Sequence, residues 1–113
     1  MHHGMRTIVY PVKDLTRAKA LYRALLGVEP NMDEAYYVGF RVGEQEIGLD
    51  PRGHAQGMSG PVGYWQVEDI ERELERLVAA GAQVQQPIKN VGGGRLVAVL
   101  GDGEGNAIGL VRG

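Results

Sequence analysis

Two pairs of aromatic and polar residues have spacings that place each pair on one face of a predicted strand. Tyr64 and Gln66 are two residues apart, and Tyr37 and Arg41 are four residues apart. A few polar groups set among apolar and aromatic side chains are typical of a pocket for a small organic molecule. Tyr64 and Gln66 could instead line a filled cavity or a dimer interface, and Tyr37 and Arg41 could lie on an exposed face.

Acidic residues and histidines are the candidate groups for proton transfer. Glu46 and Asp50 share a strand face, and we interpret both as solvated edge charges, although Glu46 could also act as a base. His54 lies in an aperiodic segment and is interpreted as a surface residue rather than a general base. His2 and His3 are interpreted as part of a flexible tail rather than as metal ligands.

Two glycine-rich segments resemble ligand-binding loops but lack residues that such loops require. The run Gly92-Gly93-Gly94 is not followed by the Lys-Ser/Thr of a phosphate loop, so it predicts a flexible hairpin or lid. Asp102, Glu104 and Asn106 alternate like the start of a calcium loop, but the remaining ligands are missing. We therefore predict a tight turn at 102–106.

The composition excludes several classes of function. The chain has 113 residues, which predicts one domain, and its net charge is −2 with scattered Lys and Arg, so nucleic acid is not an expected partner. No apolar run approaches the roughly 20 residues of a membrane span, and the first residues lack the apolar core of a secretory signal. There is no cysteine, which excludes disulfides, thiolate zinc sites and cysteine nucleophiles. We expect a cytoplasmic protein that binds neither nucleic acid nor membrane.

Hydrophobic periodicity predicts two successive modules, at about residues 5–50 and 62–113, joined by a linker at 51–61. In the first module Asp14 is the expected cap of a helix that ends at Gly27. The apolar stripe of that helix comprises Leu15, Ala18, Leu21, Tyr22, Leu25 and Leu26. Strands are predicted at 6–12, 35–42 and 45–50, with a weak one around 28–32.

The second module has the same order of predicted elements. A strand at 62–68 leads to a helix that is capped by Asp69 and ends at Gly81. Its apolar stripe comprises Ile70, Leu74, Leu77 and Val78, and positions 71–75 between them are expected to include solvated charges. Three strands are predicted at 83–89, 95–100 and 106–111.

The two modules also match in sequence, which indicates duplication of one βαβββ unit. Residues 12–15 match 67–70 at an offset of 55, and residues 47–49 match 108–110 at an offset of 61. The difference of six residues is expected in turns, where insertions cost little.

The combined pattern resembles the vicinal oxygen chelate superfamily, which includes glyoxalase I, extradiol dioxygenases, and bleomycin and fosfomycin resistance proteins. The resemblance rests on V-x-D-[L/I] before each helix, Leu-Gly or Ala-Gly after it, and D-x-x-G-N-x-I-x-L at the end, in segments 7–27, 64–81 and 102–110. It implies an α+β fold in which two βαβββ modules form a curved mixed sheet around a cleft.

The resemblance also assigns four positions to metal ligands, one on the first and one on the last strand of each module. These positions fall on Thr7, Gly48, Val62 and Gly109. Divalent metals need imidazole, carboxylate or thiolate donors, which valine and glycine lack, and a threonine hydroxyl is a poor ligand. Shifting the alignment by one residue recovers no donor. We therefore predict no metal and no cofactor.

Strand alternation then predicts which residues line the implied cleft. The predicted ligand-binding set is Thr7, Val9, Tyr37, Arg41, Gly48, Val62, Tyr64, Gln66 and Gly109. The predicted function is metal-independent binding of a small drug- or toxin-like molecule, hydrophobic or aromatic, by a homodimer similar to the drug-sequestering members of the superfamily. The alternatives are a metal-free isomerase or lyase that uses Tyr64, Glu46 or His54, and an interaction subunit with a collapsed cleft. No catalytic residue is assigned.

Overall fold

The computed structural model describes residues 2–113, which form two compact units. The first unit contains residues 6–62, and the second contains residues 63–113 together with the residues before Arg6. The chain has two helices, and each helix follows one strand and precedes three further strands. The predicted α+β class and the repeated βαβββ order are therefore confirmed.

In the first unit, one helix packs on one face of a mixed sheet with the strand order β2-β3-β4-β1. The elements are β1 (His2–Pro11), α1 (Leu15–Leu26), β2 (Met32–Glu34), β3 (Tyr37–Val42) and β4 (Gln45–Asp50). β1 runs parallel to β4, whereas β3 is antiparallel to β2 and β4. Val38, Phe40 and Leu49 are the buried centre of this unit's core, against which α1 packs.

The second unit repeats this arrangement with the strand order β5-β8-β7-β6. Its elements are β5 (Val62–Val67), α2 (Ile70–Ala79), β6 (Gln83–Asn90), β7 (Leu96–Gly101) and β8 (Ala107–Arg112). β5 runs parallel to β8, and β7 is antiparallel to both of its neighbours. The buried core residues are Val67, Ile70, Ala98, Leu100 and Leu110.

Helix α1 begins and ends where the sequence predicts, but its apolar stripe is narrower. The Asp14 carboxylate accepts a hydrogen bond from the backbone N–H of Arg17 at 3.0 Å, and Gly27 closes the helix with φ 72°. Leu21 and Leu25 were predicted in the stripe but are 65% and 72% exposed. The residues that contact the core are Leu15, Ala18, Tyr22 and Leu26. Leu21 and Leu25 lie beside this row of core-facing residues, so their inclusion in the apolar stripe was wrong.

Helix α2 departs from the prediction at one acidic and one apolar residue. Glu73 is buried, although positions 71–75 were expected to carry solvated charges, whereas Val78 is exposed. Glu73 lies three residues after the buried Ile70 and four before Leu77, which places it on the core-facing side. Its carboxylate accepts two hydrogen bonds from Nη1 of Arg76, at 2.8 and 2.9 Å. This pairing balances the charge of the buried group.

The first and second strands also differ from the predictions. β1 begins at His2, and His3 Nε2 lies 3.0 Å from the Glu68 carboxylate, so the predicted flexible tail was wrong. The weak strand expected around 28–32 is β2 at Met32–Glu34. Pro30 lacks a backbone N–H, and pairing with β3 starts only at Asn31, whose N–H donates to the carbonyl of Gly39. The other strands lie within two residues of their predicted bounds.

Neither helix of residues 2–113 is long and apolar enough to cross a membrane.

The glycine run at 92–94 forms the turn between β6 and β7, and all three glycines have positive φ. Gly92 donates its N–H to the side chain of Asn90 at 2.8 Å, which helps to fix this turn. The predicted hairpin is therefore present.

Asp102 organises the tight turn between β7 and β8, as predicted. Its Oδ1 accepts the backbone N–H groups of Glu104 and Asn106 at 2.7 and 3.1 Å, and its Oδ2 accepts the side-chain amide of Asn106 at 2.9 Å. The hydrogen bond from the Asn106 side chain, followed by those from the two backbone amides, holds the pKa of Asp102 below its ordinary value of 3.8.

We expect the Asp102→Ala variant to melt at a lower temperature than the unmodified chain at neutral pH, and this difference to vanish in acid. A carboxyl whose pKa is lowered by folding contributes stability above its unfolded pKa and loses it as the pH falls through the folded value. Melting curves of both proteins between pH 7 and strongly acidic pH measure this. A difference in melting temperature that stays constant down to the most acidic pH would show that the carboxylate does not hold the turn.

Candidate functional site

Each sheet has one face covered by its helix and one face that the helix does not touch, here called the helix-free face. In the first unit Tyr10, Ile47 and Leu49 belong to the helix-covered core. The residues that alternate with them lie on the helix-free face because successive strand side chains point in opposite directions. They are Thr7, Val9 and Pro11 on β1, Glu46, Gly48 and Asp50 on β4, and Tyr37, Gly39 and Arg41 on β3.

The space above Gly48 is taken by Tyr37. A Cβ atom at Gly48 would lie 1.8 Å from the Tyr37 hydroxyl oxygen and 2.5 Å from Cζ. Gly39 is the register partner of Gly48, and a Cβ there would lie 3.5 Å from Cε2 of the same ring. The Tyr37 ring therefore lies across the two glycines, at the position that the resemblance assigns to a metal ligand on β4.

The second unit has the same arrangement with a different tyrosine. Gly109 on β8 is the register partner of Tyr64 on β5. A Cβ at Gly109 would lie 2.6 Å from Cδ1 and 2.8 Å from Cγ of Tyr64, and 2.9 Å from the carbonyl oxygen of Gly63. Here the base of the ring covers the glycine, whereas in the first unit the hydroxyl end does. Both last-strand positions are therefore glycines covered by tyrosines.

A polar row crosses three strands next to the Tyr37 ring. The Thr7 hydroxyl donates to Glu46 Oε1 at 3.2 Å, and Arg41 Nη2 donates to Glu46 Oε2 at 2.9 Å. Thr7 and Arg41 are the register partners of Glu46 on its two sides. The Glu46 side chain is only 27% exposed, so its interpretation as a solvated edge charge was wrong. Asp50 is partly buried and accepts the backbone N–H of Arg52 at 2.8 Å.

The helix-free face of the second unit is mainly apolar. Val99 and Val111 are buried there, and Gln66 is partly buried opposite Val111. Gln85 also reaches this face, because a Cβ at Gly101 would lie 2.6 Å from its Nε2. The sequence offered no signal for Gln85, since this residue lies at a register shift of β6, between Val84 and Gln86.

The structure places the predicted ligand-binding residues in two groups. Tyr37, Arg41, Tyr64 and Gln66 have solvent-accessible surface, whereas the remaining members are buried. The buried members are Thr7, Val9, Gly48, Val62 and Gly109. His54 is exposed in the turn after β4. The four accessible side chains are therefore the parts of these faces that a molecule from solvent can reach first.

The residues present do not fit a divalent metal ion. The four positions assigned to ligands by the resemblance hold a threonine, a valine and two glycines, and the space over both glycines is taken by tyrosine rings. Among residues 2–113 no three His, Cys, Asp or Glu side chains are grouped closely enough to hold a metal. Metal ions of the first transition row need such donors.

The comparison with protein families agrees with the architecture. The model of the Glyoxalase/Bleomycin resistance protein/Dioxygenase superfamily matches residues 4–110. The chain belongs to this superfamily. The match covers both units and confirms the resemblance drawn from the sequence. The comparison with curated protein sequences gave no significant match.

Solved structures of this superfamily's fold are similar over nearly the whole chain. A superfamily member from Vibrio splendidus 12B01 has 16% identity and a TM-score of 0.74, covering 96% of this chain and 97% of that one. A methylmalonyl-CoA epimerase from Mycobacterium tuberculosis has 18% identity and a TM-score of 0.71, with coverage of 98% and 88%. The Mn(II)-bound glyoxalase from Novosphingobium aromaticivorans has 20% identity and a TM-score of 0.71, with coverage of 98% and 39%. Such identities show the fold alone.

Proposed function

We propose that this superfamily member binds a small hydrophobic or aromatic molecule on the helix-free faces of its sheets, without a metal ion, and lowers the free concentration of that molecule. The observation that carries the proposal is the covering of both last-strand glycines by tyrosine rings. In each unit an aromatic surface stands where a metal-dependent relative would need a carboxylate, and aromatic surface with a few polar groups suits an organic ligand.

Two further observations support this proposal. The polar groups that accompany the rings are few and fixed: the Thr7–Glu46–Arg41 row in the first unit and Gln66 in the second. A methylmalonyl-CoA epimerase of the same fold from Streptomyces coelicolor was solved with 2-nitronate-propionyl-CoA, an organic ligand. We further propose that the chain acts as a homodimer in the cytoplasm, as the sequence led us to expect.

Divalent metals are expected to leave the melting temperature of the chain unchanged within about 1 °C, because residues 2–113 contain no group of donors that would bind a metal preferentially in the folded state. Mn²⁺, Ni²⁺ and Zn²⁺ should be tested by thermal shift after chelator treatment. The matched control is His3→Ala, since surface histidines alone can bind Ni²⁺ or Zn²⁺. A metal ion present at 100 times its dissociation constant would raise the free energy of unfolding by about 2.7 kcal/mol. A chelator-reversible rise in melting temperature that corresponds to a stabilisation of this size, and that persists in His3→Ala, would contradict metal independence.

The second candidate function is a metal-free isomerase or lyase, and the position of Glu46 supports it. Thr7 and Arg41 each donate to one oxygen of the carboxylate, and the side chain is still partly accessible, as a general base must be. His54, the other candidate base, is an exposed residue of the turn after β4. Turnover of a bound compound that is lost in Glu46→Gln or Tyr64→Phe would establish the enzyme. Binding without turnover would support sequestration.

A further inference from the structure

We propose that the Arg41–Glu46 pair and the Tyr37 ring together recognise a flat, uncharged ligand through an amide-type edge, such as that of a lactam. This inference rests on the proposed function and specifies the chemical class of its ligand. Arg41 supplies the N–H donors, Glu46 supplies the acceptor, and Tyr37 supplies the aromatic surface. All three lie on the helix-free face of the first unit.

The pair is held in a fixed orientation. Thr7 is buried and donates to one oxygen of Glu46, while Arg41 donates to the other. Because Thr7 and Arg41 flank Glu46 in the strand register, the carboxylate cannot turn without losing one of these hydrogen bonds. A donor and an acceptor held side by side match a ligand edge that carries one C=O and one N–H.

Both members of the pair keep a surface that a ligand can reach. The side chain of Arg41 is 55% exposed, and the contact with Glu46 engages Nη2, whereas a guanidinium has five N–H donors in all. The side chain of Glu46 retains 27% exposure, so a ligand in contact with Arg41 can also reach it. A ligand C=O could therefore accept from Arg41 while its N–H donates to Glu46.

The charges favour an uncharged ligand over an ion. Arg41 and Glu46 neutralise each other at 2.9 Å, and further carboxylates on this face, Asp50 on β4 and Glu34 on β2, disfavour an anion. A cation would have to approach Arg41. An uncharged amide edge can form hydrogen bonds with both charged side chains. Hydrogen bonds in which one partner is charged are stronger than those between two neutral groups.

The separation between the Tyr37 ring and the Arg41–Glu46 pair matches the length of a flat two-ring ligand. It covers the Gly39–Gly48 pair, which is two residues along the strands from the Arg41–Glu46 pair. Two residues of a strand span about 7 Å, which is the length of a fused two-ring system. Gly39 has no side chain to separate the ring from Arg41. A bicyclic lactam can therefore contact the tyrosine with one ring and the ion pair with the edge of the other.

The test uses four probes of nearly equal shape: 2-quinolinone, its N-methyl derivative, quinoline-2-carboxylate and naphthalene. Dissociation constants are measured by NMR or calorimetric titration of the full chain. We expect 2-quinolinone to bind at least about 10-fold more tightly than the other three, because N-methylation removes the donor and naphthalene lacks the whole edge. Arg41→Met and Glu46→Met, which remove the donor and the acceptor at nearly constant side-chain length, should each abolish that preference. Arg23→Met, which alters an ion pair at the end of α1, should leave it intact.

The outcomes separate this inference from the proposed function. Equal binding of all four probes would overturn the inference and leave metal-free binding of aromatic molecules standing. Tighter binding of the carboxylate would also overturn it, in favour of an anion site. A preference for 2-quinolinone that survives both variants would place the ligand elsewhere and overturn it as well. Failure of every probe to bind would overturn both proposals. Melting temperatures of the variants, whose substituted side chains are partly or largely exposed, show whether they remain folded.

Discussion

The substitution Gly109→Ala is expected to lower the free energy of unfolding by about 2–3 kcal/mol, which is the range for overpacking a filled site. The new Cβ would lie 2.6 Å from Cδ1 and 2.8 Å from Cγ of Tyr64, and 2.9 Å from the Gly63 carbonyl oxygen. These atoms are the base of a ring and the backbone of a paired strand, so they cannot move away without disturbing β5. Urea denaturation of the variant measures the loss.

Gly48→Ala is the matched control for this prediction, and it should cost only about 1 kcal/mol. Its Cβ would meet the hydroxyl and Cζ of Tyr37, which are the far end of a side chain that can swing aside. In double-mutant cycles Tyr37→Ala should remove nearly all of the Gly48→Ala cost. Tyr64→Ala should remove only part of the Gly109→Ala cost, because the Gly63 carbonyl stays in place. No coupling of either glycine substitution to its tyrosine would show that the rings do not cover the glycines.

The substitution Leu100→Ala is expected to lower the free energy of unfolding by about 3–4 kcal/mol, because it leaves a cavity in the core of the second unit. Leu100 is fully buried, with 0% exposure, next to Val67, Ala98 and Leu110. The matched control is Leu21→Ala, the same change on the exposed side of α1, which should stay within about 0.5 kcal/mol of the unmodified chain. Thermal or urea unfolding of both variants provides the comparison. A large loss at Leu21 would mean that this leucine is covered by a contact outside the single chain.

The sequence predicts elements well where a local rule determines them. Asp14 and Asp69 cap their helices because an aspartate before an apolar helical stripe can accept the free amides of the first turn. Asp102 forms its turn by the same local chemistry. The duplicated pattern at 12–15 and 67–70 correctly predicts that two helices follow equivalent strands.

The errors arise where packing decides between neighbours on one element. Leu21 is apolar and Tyr22 carries a hydroxyl, yet α1 turns Tyr22 towards the core and Leu21 to solvent. Glu73 is buried because it lies on the core-facing line of α2 and has Arg76 beside it, which composition cannot show. His3 lies in β1, and its Nε2 is 3.0 Å from the carboxylate of Glu68, a contact between residues 65 apart in the chain that no local pattern predicts.

In the candidate site too, the sequence predicts which face a residue lies on but few of the contacts between side chains there. Strand alternation correctly places Tyr37 and Gly48 on one face, and Tyr64 and Gly109 on another. The covering of each glycine by a tyrosine could not be predicted, because it depends on the side-chain rotamer and on the register between strands. In the Thr7–Glu46–Arg41 row, the Arg41–Glu46 contact follows from the two-residue turn between β3 and β4, which fixes their register. The Thr7–Glu46 contact joins strands 39 residues apart in the chain, and no local sequence pattern encodes that register.

The central claim is that tyrosine rings occupy the last-strand metal positions of both units. Its most direct test is a calorimetric titration of Mn²⁺ into the chelator-treated His3→Ala variant. We expect no saturable heat of binding, and the same affinity for an aromatic ligand in chelator as in excess Mn²⁺. One-to-one Mn²⁺ binding, or an aromatic ligand that binds only after the metal is added, would contradict it.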